Sequence, residues 1–329
     1  MKLSDILQNI STQHVSADLE MEITGVSYDS RQTQPGDLFV AMTGFATDGH
    51  KYISAAVERG AVCILCQTPP EGDIPYIQVE NSRRALAVVG ANFFHHPARE
   101  MTMVGVTGTN GKTTTTYLLK DILEHAAGAK VGLIGTNQNM IGDQVLHTER
   151  TTPESFEVQK LFREMADAGC THVVMEVSSH ALSLDRVYGV RYAVGVFTNL
   201  TQDHLDFHGT MEEYRDAKGL LFRQCETAVL NLDDEAGRWY RERVPCPVFT
   251  YSENKDAADL TAKNIRLFPG HVEFEAVSRQ DIQRIHLPIP GGFTIYNALA
   301  AASCGLCLGL ELGEIAAALR CARGVKGRV

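Results

Sequence analysis

The sequence predicts an α/β protein in two parts: a small N-terminal α/β domain over residues 1–98, then a larger domain over residues 99–329. The second is expected to hold a mostly parallel sheet plus a small antiparallel β portion. Three observations carry this. Short apolar runs alternate with helix-period runs from about Arg99 onward. Residues 103–123, MVGVTGTNGKTTTTYLLKDIL, read as strand, glycine loop and helix. Residues 263–290 switch to period-two alternation interrupted by Pro269-Gly270, the pattern of a hairpin.

Composition sets bounds on function. The chain has 329 residues, 44% hydrophobic and 21% charged, with a formal net charge of -10 and no low-complexity tract or repeat. No basic run is present to neutralise many phosphates, so nucleic acid is not an expected partner. The N-terminus MKLSDILQNISTQ lacks an apolar leader core, and no stretch reaches the length of a membrane span. A cytoplasmic monomer without membrane insertion is expected. Cys63-Cys66 and Cys304-Cys307 have C-x-x-C spacing, but both lie in apolar runs and read as buried reduced thiols.

In the first domain, Leu3, Ile6, Leu7 and Ile10 make a short amphipathic helix, and an extended stretch from Ile23 ends in Asp29-Ser30-Arg31. Pro35-Gly36 marks a turn before a buried strand at 38–42. A helix at 52–60, a strand at 61–66, the loop TPPEGDIP and a strand at 76–79 follow. Asn81 or Ser82 caps a helix running to Phe94, and His95-His96-Pro97 ends it.

In the second domain, strands are expected at 103–106, 131–134, 172–177, 194–199, 228–232 and 248–251. Helices fall at 113–126, at 153–168 with Pro153 in the first turn, and at 211–225. The hairpin, a strand at 284–289, and a helical pair at 296–308 and 312–322 complete the chain.

The glycine loop carries the clearest chemistry. Gly108-Thr109-Asn110-Gly111 aims backbone N–H groups and a helix N-terminus at one point, which suits a phosphate. Lys112 adds a cation, and the Thr113 hydroxyl, followed by Thr114, suits Mg²⁺, so the domain is P-loop ATPase-like. The spacing departs from a Walker loop: five residues separate Gly105 from Gly111 and two separate Gly108 from Gly111.

In open α/β sheets ligands gather beyond the carboxyl ends of the strands. Glu176, in the apolar HVVMEV, needs a cation there, either Mg²⁺ beside a triphosphate or a structural partner. The loop TQDHLDFHG offers His204 and His208 as turn-holding side chains, zinc ligands, or, for His204, a group beside Mg²⁺. Thr151 and Thr152 before Pro153 are a helix cap or an anion-holding pair. By spacing alone Lys218 is a solvated helix lysine and Asn297 a cap near a helix start.

The motifs GVTGTNGKTTT, ERTTPE, MEVSSHAL, TNLTQDHLDFHG, EYRDAKGLLF and TIYNALAA, with YDSRQTQPGDLFVAMTG before them, together resemble the Mur ligases of bacterial cell-wall synthesis, in the branch that adds the third peptide residue. The resemblance covers nearly the whole chain. It implies ATP-driven addition of diaminopimelate or lysine to UDP-N-acetylmuramoyl-L-alanyl-D-glutamate through an acyl phosphate, with Mg²⁺. The first domain would hold the UDP end, with Ser30 and Asp48 as candidates. Lys112 and Thr113 would serve the ATP phosphates and Mg²⁺, Glu176 and His204 match metal ligands, and Thr151, Thr152, Ser178 and Arg186 match positions that hold the muramoyl-dipeptide. Lys218 matches a lysine that is carbamylated in the family and then helps bind a second Mg²⁺. Asn297 and Arg328 match nucleotide contacts, while Thr294 stands where many members have Asn. The family continues into a third, amino-acid-binding domain, and residues 1–329 correspond to the first two, so this chain alone is expected to bind its ligands but ligate poorly. A folylpolyglutamate-synthase-like ligase is the nearest rival, though it should lack the DSR and PGDLFVA segments. A non-catalytic module that binds nucleotide or the UDP substrate is the alternative from another class.

Overall fold

The computed structural model describes residues 1–44, 47–146, 150–203 and 205–325. They form two compact units: one of Met1–Pro97 with Glu154–Leu161 and Leu184–Gly189, the other of Ala98–Pro153, Phe162–Ser183 and Val190–Val329. A single cut at residue 98 does not express the two later segments that join the first unit.

The first unit is a five-stranded sheet with strands β1 (His14–Val15), β2 (Gly25–Ser27), β3 (Asp37–Val40), β4 (Cys63–Cys66) and β5 (Tyr76–Gln78). Their order is β1-β5-β4-β3-β2, with only β1 antiparallel to its neighbour. Helices α1 (Leu3–Ile6), α2 (Ile53–Glu58) and α3 (Ser82–Phe93) cover it. β3 and β4 are buried along their whole length, which is why Leu38–Val40 and Cys63–Cys66 read as unbroken apolar runs. One face packs Leu38, Leu65 and Cys63 against Leu3, Ile6 and Leu86, and the other packs Phe39, Ile64 and Cys66 against Ile53 and Ala56. Cys63 and Cys66 therefore belong to opposite faces and cannot chelate together, and burial raises both thiol pKa values. Asn81 caps α3 by accepting from the Arg84 N–H, as expected. His95 and His96 end it in left-handed conformations, φ 59° and 53°.

The second unit holds an eleven-stranded sheet. Its strands are β6 (Thr102–Thr107), β7 (Val131–Ile134), β8 (Asn139–Ile141), β9 (Gln144–Leu146), β10 (His172–Glu176), β11 (Tyr192–Phe197), β12 (Cys225–Asn231), β13 (Val248–Ser252), β14 (Leu260–Leu267), β15 (Val272–Ser278) and β16 (Ile282–Leu287). The order is β16-β15-β14-β13-β12-β11-β6-β10-β7-β8-β9, parallel from β14 through β7 and antiparallel at both ends. The helices are α4 (Lys112–Ala126), α5 (Ser155–Asp167), α6 (Ser179–Ser183), α7 (Leu205–His208), α8 (Met211–Gly219), α9 (Glu235–Arg241), α10 (Phe293–Cys307) and α11 (Leu312–Arg320), with the first part of α5 counted in the other unit. One large core joins α4, α10 and α11 to the sheet through Leu118, Ile122, Val106, Val196, Leu299 and Leu319. Among the described residues no helix is long and apolar enough to cross a membrane.

Several expectations are corrected. α5 begins at Ser155, so Pro153 lies before the helix. The helix expected over 211–225 stops at Gly219, continues as a 3-10 turn over Leu220–Arg223, and gives way to β12 at Cys225. β8 and β9 form a hairpin in what read as a polar loop, because three-residue strands with exposed faces leave no apolar period. The antiparallel ribbon starts at Leu260, earlier than the alternation suggested.

Candidate active site

β6 is central in its sheet, and the chain leaves its carboxyl end through Gly108–Gly111 into the fifteen-residue helix α4. The two inner glycines are required by close approach. Gly111 takes φ 86° at the N-cap of α4, and a Cβ there would lie 2.3 Å from Asn297 Oδ1. At Gly108 a Cβ would lie 1.8 Å from Thr198 Oγ1. The loop is braced from the end of β11. The Asn110 N–H donates to Asn199 Oδ1 at 3.0 Å, and the Asn110 carbonyl accepts from Thr198 Oγ1 at 2.7 Å and Asn199 Nδ2 at 3.0 Å. The Thr109 N–H donates to the Asn199 carbonyl, and the Thr109 hydroxyl lies 3.2 Å from Tyr214 Oη. Such bracing fixes the cradle before any ligand arrives.

Lys112 folds back across the loop and donates to the Gly108 and Thr109 carbonyls at 2.8 and 3.1 Å. Two hydroxyls flanking the cradle, those of Thr107 and Thr113, are buried with no hydrogen-bond partner among the described residues. An orphaned buried hydroxyl costs roughly 1–3 kcal/mol, and a ligand or cation that it can bind removes the cost. Thr114 is buried in the first turn of α4.

Glu176 ends β10, one strand from β6 and in register with Val106. Its carboxylate is 1% exposed and accepts from the Thr136 N–H at 3.0 Å and the Thr136 hydroxyl at 2.9 Å. The partners that hold this carboxylate are neutral donors, the backbone N–H and hydroxyl of Thr136. A buried carboxylate and an orphaned hydroxyl at adjacent strand ends are the donor types that Mg²⁺ takes. Thr151 lies beside them, its hydroxyl 2.9 Å from that of Thr136.

Lys218 corrects the default reading of a solvated lysine. It is 1% exposed, and its Nζ donates to the Gly108 carbonyl at 2.9 Å and sits 4.6 Å from the Tyr214 ring centre. Burial first, and the Lys112 charge second, hold its ammonium well below the usual lysine range against the pull of Asp203. A lysine held toward its neutral form is nucleophilic.

The cap readings fail at two positions. Thr152 is buried, donating its hydroxyl to the Glu176 carbonyl at 2.9 Å and accepting from the Ser178 N–H at 3.2 Å, which ties its segment to the end of β10. Asn297 is the fifth residue of α10, where its Oδ1 lies against Gly111 and accepts from Thr115 Oγ1 at 3.5 Å. Thr294, in the first turn of that helix, donates its hydroxyl to the Pro290 carbonyl at 2.9 Å, and the N-cap itself is Gly292 with no side-chain cap. Ser178 Oγ accepts from the Ala181 N–H. The loop histidine His208 is buried, 2.9 Å from Ser179 Oγ and stacked on Tyr214.

Beside the loop lies a cavity of ≈ 350 Å³ lined by Asn110, Gly111, Asn199, Asp233, Tyr296 and Asn297, among others. Asp233 holds its wall, accepting from Ser252 Oγ, Tyr296 Oη and the N–H groups of Glu253 and Asn254. Sequence reasoning missed Thr136, Thr198, Asn199 and Asp233, although each follows the carboxyl end of a parallel strand, where the strand-end rule directs attention.

The remaining candidates lie in the first unit. Ser30 is buried at the start of a 3-10 turn that Asp29 caps. Asp48 caps another, accepting from the His50 N–H at 3.0 Å and pairing with His50 Nδ1 at 2.7 Å. His50 Nε2 accepts from the Gln67 N–H, so Nδ1 is the protonated nitrogen. Arg186 pairs with Glu154 at 3.2 Å, and Arg83 approaches the other oxygen of the same carboxylate at 3.6 Å. His204 and Arg328 lie outside the described residues.

Comparison with known proteins bears on these features. Residues 106–305 match the Mur ligase middle domain, and residues 22–106 match the Mur ligase family, catalytic domain. The chain is 43% identical over 333 residues to the UDP-N-acetylmuramoyl-L-alanyl-D-glutamate–2,6-diaminopimelate ligase of Clostridium tetani, with 100% of this chain and 68% of that protein covered. A solved structure of a ligase of the same name superposes with a TM-score of 0.88 at 26% identity, over 100% of this chain and 68% of the other. Folylpolyglutamate synthase of Mycobacterium tuberculosis shares the fold more distantly, with a TM-score of 0.61 at 15% identity over 73% of this chain and 63% of its own.

Proposed function

This chain belongs to the Mur ligase family, and from that premise we propose that it carries the UDP-substrate-binding and ATP-binding parts of a ligase that extends UDP-N-acetylmuramoyl-L-alanyl-D-glutamate by a third amino acid. We assign diaminopimelate over lysine as that amino acid on the name of the relative that is 43% identical. The observation that carries the reading is the gathering of an orphaned Thr113 hydroxyl, the buried Glu176 carboxylate and the buried Lys218 amine around one braced phosphate loop. This chain spans 68% of the length of that relative.

Mur ligases use ATP with Mg²⁺, and the resident groups fit both. The loop N–H groups and the start of α4 receive the phosphates, Lys112 neutralises the terminal ones, and the cavity beside Asn297 takes the nucleoside. Thr113 and Glu176 would hold Mg²⁺, which supplies charge neutralisation when bound. The substrate's glutamyl carboxylate attacks the γ-phosphorus, forming a carboxyl–phosphate bond as the bond to ADP breaks. The amine of the incoming amino acid then attacks the acyl carbon, inorganic phosphate leaves, and the amine gives up a proton. Attack of an anion on a triphosphate requires cations placed beforehand, which is the part of Lys112. Lys218, held toward its neutral form, is disposed to add CO₂ as a carbamate with loss of a proton, and so to join the metal-binding groups. His204 and Arg328 are assigned a metal-side and a nucleotide-side role on the family pattern.

ATP and a nucleotide-linked substrate set the reaction in the cytoplasm, and all of the residues invoked come from one chain, so a monomer suffices. The test is formation of ADP and tripeptide product from ATP, UDP-N-acetylmuramoyl-L-alanyl-D-glutamate and either diaminopimelate or lysine. Product with diaminopimelate supports the assignment, and preference for lysine overturns that choice of amino acid. Nucleotide binding that is indifferent to the UDP substrate would favour the non-catalytic module.

A further inference from the structure

The antiparallel ribbon at the far edge of the large sheet presents a second cluster of ligand-type side chains. β14 and β15 are joined by a two-residue turn, Pro269-Gly270, with the Phe268 N–H donating to the His271 carbonyl at 3.0 Å. His271 and Glu273 are two apart and share a face, and Glu273 lies directly opposite His286 on β16. The alternate residues Val272, Phe274, Ile285 and Leu287 are buried, so register holds the three polar side chains on the outer face.

These side chains converge on one oxygen. His271 Nε2 lies 3.6 Å and His286 Nδ1 3.3 Å from the same Oε1 of Glu273. The other carboxylate oxygen, Oε2, accepts from Arg284 at 2.9 Å, which fixes the direction of Oε1. Phe268 stacks on His271 at 4.3 Å, and the two imidazole rings lie 4.6 Å apart. All three ligand atoms fall within 4.8 Å of one another. Bonds of about 2.0–2.2 Å from a tetrahedral metal to nitrogen and oxygen imply ligand–ligand edges of roughly 3.4 Å, close to both nitrogen–oxygen separations.

We infer that His271, Glu273 and His286 form a binding site for a divalent transition metal of the zinc or cobalt class, on a different part of the sheet from the phosphate loop. Two imidazoles and a carboxylate are ligands for such ions, and three protein ligands leave a coordination position open to water or an added ligand. Mg²⁺, which prefers oxygen donors, does not compete for this set.

The experiment titrates the whole chain with Co²⁺ under saturating Mg²⁺ and follows visible absorption and binding heat. One equivalent should bind without the near-ultraviolet thiolate band that cysteine coordination would give. His271→Ala, His286→Ala and Glu273→Gln should each weaken binding at least tenfold while circular dichroism and nucleotide binding stay unchanged. Binding unaltered in the His271→Ala/His286→Ala double variant, a thiolate band, or no binding near roughly millimolar Co²⁺ would overturn the assignment.

Discussion

Lys218 Nζ donates to the Gly108 carbonyl at 2.9 Å across 110 residues of sequence, joining a buried amine to the phosphate loop. Because burial holds the folded-state pKa well below the ordinary 10.5, the unfolded chain takes up a proton first as pH falls. Stability then rises with pH between the folded pKa and 10.5 and carries a constant penalty below the folded value. Lys218→Met should therefore be more stable than the parent at neutral pH, with the difference shrinking toward pH 10.5. Chemical denaturation across pH measures this, and a difference independent of pH would count against the buried amine. In ¹³C-bicarbonate the parent should show a carbamate resonance that Lys218→Met lacks.

Thr113→Val separates stability from function. The Thr113 hydroxyl is buried without a partner, so an apolar side chain of the same shape should leave the melting temperature unchanged or raise it. Mg²⁺ should no longer strengthen nucleotide binding. Calorimetry with and without Mg²⁺ checks this, and a retained Mg²⁺ effect would remove Thr113 from the metal site.

Lys112→Ala removes the cation that spans the loop. A hydrogen bond to a charged group is worth about 1.5–3 kcal/mol, so triphosphate affinity should fall roughly 10- to 100-fold. It also donates to the Gly108 and Thr109 carbonyls, so the melting temperature is measured alongside to separate loss of the cation from loss of loop bracing. Unchanged affinity in a nucleotide titration would contradict the role.

Gly111→Ala should damage the loop and the adjacent cavity together. The φ of 86° costs an L-residue about 1–2 kcal/mol, and the new Cβ would meet Asn297 Oδ1 at 2.3 Å. A lower melting temperature together with weakened nucleotide binding is expected, and a neutral effect on both would sink the close-approach argument.

Much of this architecture is legible in the sequence where one residue breaks a local pattern. Gly108, Gly111 and Lys112 announce a phosphate loop, and Glu176 is conspicuous as a charge in an apolar strand. Lys218 is not legible, because its polar helix looks solvated and its burial comes from the loop and Tyr214 packing around it. Asn297 and Thr152 suggested caps because cap residues and site residues are the same types, and only the register of α10 and α5 separates the two roles. The β8–β9 hairpin is not legible for want of apolar alternation, and Cys225 reads as helical because a 3-10 turn extends the helical period almost to β12.

The most direct measurement is calorimetric titration of the chain with a non-hydrolysable ATP analogue and UDP-N-acetylmuramoyl-L-alanyl-D-glutamate, in parent and Glu176→Gln forms, with and without Mg²⁺. One site for each ligand is expected, with the analogue binding more tightly in Mg²⁺ in the parent and showing no Mg²⁺ dependence in Glu176→Gln. Analogue binding equally strong in both proteins, or no binding of the UDP substrate, would contradict the account.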